Sequence, residues 1–268
     1  MGDAHPDDAL LEVLAEAELT VVGRILPASN LALLVTVDSA LLGHAIVKPV
    51  AGERPLWDFP DGSLAGREEA AYLLSRASGL DLVRPTVVRH VGDLGRASVQ
   101  AWVGDPEEGL SPVADLVQGH VAPAGHLTSF LGEGERGEPL AVVHEDAPDV
   151  RALALLDVVL NQADRKGSHM ARDDAGRLWA FDQGLCLHEE PKLRTILWGW
   201  AGQSLTADER TRLEALVAAL DDGLDERLAE HLSSRERRAL RTRIERLGER
   251  GRLPAPSGGW PSIPWPPL

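Results

Sequence analysis

Asn161-Gln162-Ala163-Asp164-Arg165-Lys166-Gly167-Ser168-His169, followed by Phe181-Asp182-Gln183-Gly184, is the stretch that decides the fold. The first segment is a polar loop. It follows residues 150–162, where Leu153, Leu156, Val159 and Leu160 recur at helical spacing. Between the two segments, residues 168–172 and 177–182 flank Asp173-Asp174-Ala175-Gly176, a turn with glycine at the position that accepts positive φ. That is a hairpin signal. A hairpin brings its open ends together, so Asp182 is expected to return near Ser168 and His169, beside the loop carrying Asp164.

Toward the amino terminus, residues 8–18 carry Leu10, Leu11 and Leu14 at near-helical spacing. Residues 20–26, 31–37 and 44–50 are short and rich in Val, Ile and Leu, and read as three successive antiparallel strands. A Pro/Gly-rich loop spans 50–66. Residues 67–77 then form an amphipathic helix with Ala70, Ala71, Leu73 and Leu74 inward and Arg67, Glu68 and Arg76 outward. Strands are expected at 86–91 and 97–103. Residues 104–148, rich in Gly, Pro and acids, read as a connection or variable insertion, the remainder to 252 as charged helices, and 254–268 as a Pro/Trp tail. The expected organisation is a sheet-plus-helix lobe over 1–103, a mostly helical lobe over 104–253, and the tail.

The 268 residues are 44% hydrophobic and 26% charged, enough for one large core or two lobes sharing a cleft. Lys and Arg total 27 against 42 Asp and Glu, a formal charge of −15. That balance argues against a nucleic-acid partner and against docking on anionic lipid by charge. The single cysteine, Cys186, can form no internal disulfide and fits a reducing cytoplasm as an inert thiol. No run of about 18 apolar residues is present, and the first residues carry acids where a signal peptide needs positive charge. A cytoplasmic location is the expectation.

Lys48, near the end of the third expected strand, stands on rigid backbone from which an ammonium can hold a phosphate. Facing it are two acids, Asp164 and Asp182, and a nitrogen ligand, His169. Phosphoryl transfer needs this set: a cation against phosphate charge, groups that hold a metal, and an acid that orients the attacking hydroxyl. No Walker A pattern and no dinucleotide-binding glycine fingerprint appear. Trp179, Trp198 and Trp200 read as packing residues, and His188 as a loop histidine.

Lys48-Pro49 with Gly52-Glu53-Arg54-Pro55, then Arg67-Glu68-Glu69-Ala70-Ala71-Tyr72-Leu73, Pro85-Thr86, and Asn161 to Arg165 resemble the phosphatidylinositol 3-/4-kinase superfamily, the type II phosphatidylinositol 4-kinases above all. The chain also resembles short actinobacterial kinase-like proteins of undefined function. The resemblance spans roughly residues 21–188. It implies an α+β, two-lobed protein-kinase-like fold and an ATP-dependent phosphotransferase.

By that resemblance Lys48 contacts the α- and β-phosphates and Glu69, or its neighbour Glu68, pairs with it. Ser29 and Asn30 lie in the phosphate-covering turn, and Gln100, Ala101, Trp102 and Val103 form the adenine-contacting hinge. Asp164, with Arg165, belongs to the catalytic loop, and Asp182 binds Mg²⁺ or Mn²⁺. Five residues after Asp164 the family has Asn, and this chain has His169, whose imidazole suits Mn²⁺ or Zn²⁺ better than Mg²⁺. That exchange leaves open a nucleotide-binding pseudokinase or an AMP transferase as alternatives. The type II cysteine cluster for lipid anchoring is missing from this sequence, so the expected phosphate acceptor is soluble and membrane residence is not expected.

Overall fold

The structure is a computed structural model that describes residues 5–26, 30–56, 58–59, 63–257 and 261–268. The first lobe opens with helix α1 (Asp8–Glu16). Strands β1 (Leu19–Arg24), β2 (Leu33–Val37) and β3 (His44–Pro49) follow, then helix α2 (Leu64–Ala77), strand β4 (Thr86–His90) and strand β5 (Arg96–Ala101). The five strands form one antiparallel sheet in the order β1-β2-β3-β5-β4.

The pleat divides this sheet chemically. Ala45, Val47, Ala97, Val99 and Ala101 point to one face and pack with Leu14 of α1 in a core of their own. Ile46 and Lys48 point the other way, opposite Gln100 and Ser98. Lys48 is thus the charged member of the face that looks toward α2.

Helix α2 is the correction that matters most for the site. Its start is fixed by Ser63, whose hydroxyl accepts from Gly66 N–H at 3.0 Å, and by the Glu53 carboxylate, which accepts from Leu64 and Ala65 N–H at 3.0 and 2.8 Å. The expected outward face of Arg67 and Glu68 is buried. Arg67 donates to the Cys186 carbonyl at 2.8 Å and pairs with Glu236 at 2.5 Å, both across the lobe boundary. Ala70, Ala71, Leu73 and Leu74 join the core of the second lobe. The helix is wedged between lobes, and a helix buried on all sides shows no amphipathic stripe that identifies its partners.

The second lobe opens with strands rather than with a helix. Residues 104–148, expected to be a connection, instead form strands β6 (Ser111–Pro112), β7 (Ala114–Gln118), β8 (His126–Glu133) and β9 (Pro139–Glu145). The last three make a separate antiparallel sheet ordered β7-β9-β8, with a bulge between Thr128 and Phe130 that breaks the alternation a strand reading depends on. Helix α3 (Pro148–Leu160) is followed by the hairpin β10 (Met170–Arg172) and β11 (Leu178–Ala180), whose sheet β6 completes. Residues 184–206, expected to be helical, are mostly irregular. Helices α4 (Ala207–Ala219), α5 (Asp225–Leu228) and α6 (Ser234–Arg250) close the lobe. Capping boxes at Thr206/Glu209 and Ser233/Glu236 start α4 and α6. The tail is not idle: Ser262 and Pro267 carbonyls accept from Thr195 and Gly167 N–H, at 3.1 and 2.8 Å.

Candidate active site

The hairpin is built as expected, with Met170, Ala171 and Arg172 opposite Ala180, Trp179 and Leu178. Asp173 ties its turn by accepting from Ala175 and Arg177 N–H and from the Trp179 indole at 2.8 Å, and Gly176 takes φ +78. One further bond, Phe181 N–H to the His169 carbonyl at 2.8 Å, carries the pairing to the site. Asp182 then adopts φ +53, a left-handed conformation uncommon for a residue other than glycine, which turns the chain out of the strand. Gly184 follows where the chain passes closest to α2, because a Cβ there would lie 3.3 Å from Leu64 Cβ.

Three elements meet at one ammonium. Lys48 of β3 bonds to Glu68 of α2 and, at 2.9 Å, to Asp182 Oδ1 beyond the hairpin. Of the two glutamates, then, Glu68 takes the lysine. Its other oxygen accepts from Gln183 N–H at 2.9 Å, which also locks the hairpin exit to α2. Glu69 points elsewhere: its carboxylate accepts from Val88 N–H on edge strand β4 at 2.6 Å and lies 3.3 Å from His231. One residue of helix turns the side chain by about 100°, so adjacent glutamates serve different walls.

The Lys48 ammonium draws the Asp182 carboxyl far below the usual carboxylate range against the opposing effect of burial, and His169 adds to the pull. His169 itself is shifted downward by burial. Its Nδ1 donates to the Asp164 carbonyl at 2.8 Å, and a carbonyl only accepts, so the neutral ring turns the Nε2 lone pair outward. That Nε2 lies 3.6 Å from Asp182 Oδ2. Two lone-pair donors facing each other at this spacing fit a cation between them. Among the described residues no three His, Cys, Asp or Glu side chains converge for a metal, so an ion there would draw its remaining ligands from substrate oxygens and water.

Asp164, half-buried, stands on the same loop, with Lys166 Nζ 3.1 Å from its carboxylate. The sequence holds three lysines, and two of them, Lys48 and Lys166, serve this site. Lys166 was a residue that motif reading passed over. Arg165, expected in a catalytic role, is fully buried and touches nothing that enters the cleft. All five of its N–H groups are committed, to Asp157, Gln183 and the carbonyls of His169 and Phe181. It is a positioning residue.

The remaining candidates divide. Asn30 sits before β2 and accepts from Arg54 N–H at 2.9 Å; Ser29 lies outside the described residues. The Gln100 amide is spent on Thr86 at 2.7 Å, and the N–H groups of Ala101 and Trp102 go to the Pro85 and His44 carbonyls. Gln100 lies one position along the same face from the residue opposite Lys48, and Val103 is buried just past the strand end.

No family model matches the chain. Protein Rv2133c of Mycobacterium tuberculosis is 41% identical to it over 262 residues, covering 95% of this chain and 94% of the relative. The chain belongs to the Rv2133c family. Among solved structures it is similar to the Golgi casein kinase with Mn/ADP bound, at TM-score 0.58 and 13% identity over 91% of this chain and 74% of that one. It is also similar to hydra Fam20 with sugar, at TM-score 0.52 and 14% identity over 93% and 89%. At such identities the likeness is one of fold, and this Rv2133c-family chain has the two-lobed kinase-like α+β architecture. No helix among the described residues is long and apolar enough to cross a membrane.

Proposed function

We propose that the chain is an ATP-dependent phosphotransferase of the phosphatidylinositol-kinase-like order, acting on a hydroxyl of a soluble protein or small molecule. The observation that supports it is the meeting of Lys48, Glu68 and Asp182 from three separate elements. A lysine buried for packing alone needs one acid, and this one holds two, on opposite sides of the lobe boundary.

In this reading Lys48 binds the α- and β-phosphate oxygens and Glu68 fixes the direction of its ammonium. Asp182 and His169 would hold Mg²⁺ or Mn²⁺, which supplies charge neutralisation at the phosphates. Asp164 accepts the proton of the acceptor hydroxyl as that oxygen bonds to the γ-phosphorus. The bond from that phosphorus to the bridging oxygen breaks, and ADP leaves. Lys166 places a second cation beside the same carboxylate. Residues 100–103 would form the adenine wall, with Gln100 shaping it through Thr86.

His169 favours one second reading, a nucleotide-binding pseudokinase. ADP release measured with Mg²⁺ and with Mn²⁺, together with mass spectrometry of the products, separates them. The expected result is ADP release that Asp164→Ala abolishes while nucleotide binding persists. Binding without turnover under either metal overturns the phosphotransferase, and a product heavier by AMP replaces it.

A further inference from the structure

Helix α6 carries seven arginines, and they fall into two kinds. Arg237 and Arg241 pair with Asp225 and Asp221. Arg238, Arg246 and Arg250, spaced along another face, have no acidic partner among the described residues. Together with Arg243 and with Arg252 beyond the helix, they line a half-open cavity of about 950 Å³ in the second lobe. None of Lys48, Glu68, Asp164, His169 or Asp182 reaches it.

Arg243 shows that the cavity is chemically incomplete. Its Nε donates to the Val159 carbonyl at 2.8 Å, and its Nη2 is buried without a partner among the described residues. Burial pushes this guanidinium down to about 10, because no acid lies beside it. A buried donor left unpaired costs about 1–3 kcal/mol, more when charged. Leu193, Trp198, Leu247 and Leu253 give the lining its apolar part. Five arginines face one glutamate, Glu189, in a chain whose formal charge is −15. The cavity has the size that takes a small organic molecule, about 300–1,000 Å³.

We infer that this cavity binds a soluble organic phosphate, with its phosphate on the Arg243, Arg246 and Arg250 guanidinium groups and an apolar or aromatic body against Trp198 and Leu253. Guanidinium groups bind phosphate through paired N–H donors, which explains the arginine composition. The site is separate from the cleft, so the inference stands without the phosphotransferase reading.

Calorimetric titration with 1-naphthyl phosphate tests it, with inorganic phosphate and 1-naphthol as the charge-only and body-only controls. Lys48→Met removes the cation of the cleft. The expected result is equal affinity in the unaltered chain and in Lys48→Met, at least tenfold weaker binding in Arg246→Ala/Arg250→Ala, and at least tenfold weaker binding of both controls. Arg252→Ala lies outside the helix and serves if the double variant does not fold. It should weaken binding at least threefold. Binding that both arginine variants retain, that Lys48→Met loses, or that 1-naphthol matches overturns the inference, as does no binding of 1-naphthyl phosphate.

Discussion

Replacing Arg165 with methionine removes the tie that holds the catalytic loop to the hairpin. The perturbation strands the Asp157 carboxylate, fully buried, with the Thr195 hydroxyl at 2.9 Å as its remaining side-chain donor. It also frees the carbonyls of His169 and of Phe181, which directly precedes Asp182. Breaking a buried ion pair from one side costs about 3–5 kcal/mol, since the surviving charge has neither water nor counter-ion. Against a total stability of about 5–15 kcal/mol, that is about a fifth or more of the margin.

The assay is urea unfolding, where a slope of about 2–3 kcal/mol/M turns the loss into a midpoint shift of about 1–2.5 M. Burial already pushes the Asp157 carboxyl upward, so adding Asp157→Asn should relieve the stranded charge. The double variant Asp157→Asn/Arg165→Met should then be more stable than Arg165→Met alone, by about 2 kcal/mol. Two single losses that simply add in the double variant would refute the reasoning, because they would mean the two groups do not act on one another. So would an Arg165→Met chain within about 1 kcal/mol of the original.

Two further outcomes follow from other parts of the molecule. His169→Asn exchanges an imidazole nitrogen for an amide oxygen facing Asp182, so metal-dependent nucleotide binding should move from Mn²⁺ toward Mg²⁺; an unchanged preference removes His169 from the ligand set. Burial raises Glu209, but Arg151 and the Thr206 N–H outweigh it, and the folded carboxyl lies below its ordinary value of 4.5. A depressed carboxyl contributes stability that is complete above about pH 4.5 and lost as pH falls through the folded value. Glu209→Gln should therefore lower stability at pH 7 by about 1–3 kcal/mol and flatten the acid side of the profile; an equally steep acid loss would count against the pair.

The legible parts of the site were those fixed by local chain geometry. The turn at Asp173 to Gly176 states its own conformation, and the hairpin it closes brings Asp182 back to His169. Lys48 was legible because strand alternation assigns it a face. The choice between Glu68 and Glu69 was not, since both start the same helix and the docking of α2 onto β3 and β4 separates them. Arg165 misled for a related reason: a motif gives the order of residues, and burial decides which of them meet substrate. A signal for its true role was present in Asp157, a lone acid inside the apolar run from Leu153 to Leu160, because a charge in such a helix requires a buried partner.

The proposed function asks a strongly acidic chain to hold a phosphate, and the same logic applies there. Glu68 and Asp182 share a single ammonium, so the set carries one net negative charge before any ligand binds. Such a set would favour a cation, and one held by Asp182 and His169 would loosen the hold of Asp182 on Lys48. The loop that must stay in place during that exchange is anchored away from the cleft: Arg165 holds it from beneath, and the tail carbonyl of Pro267 holds Gly167. Charge at the mouth is therefore free to change while the backbone that presents Asp164 is not. On the proposed function, that division of labour gives a fully buried arginine and a proline-rich tail a part in a reaction neither of them touches.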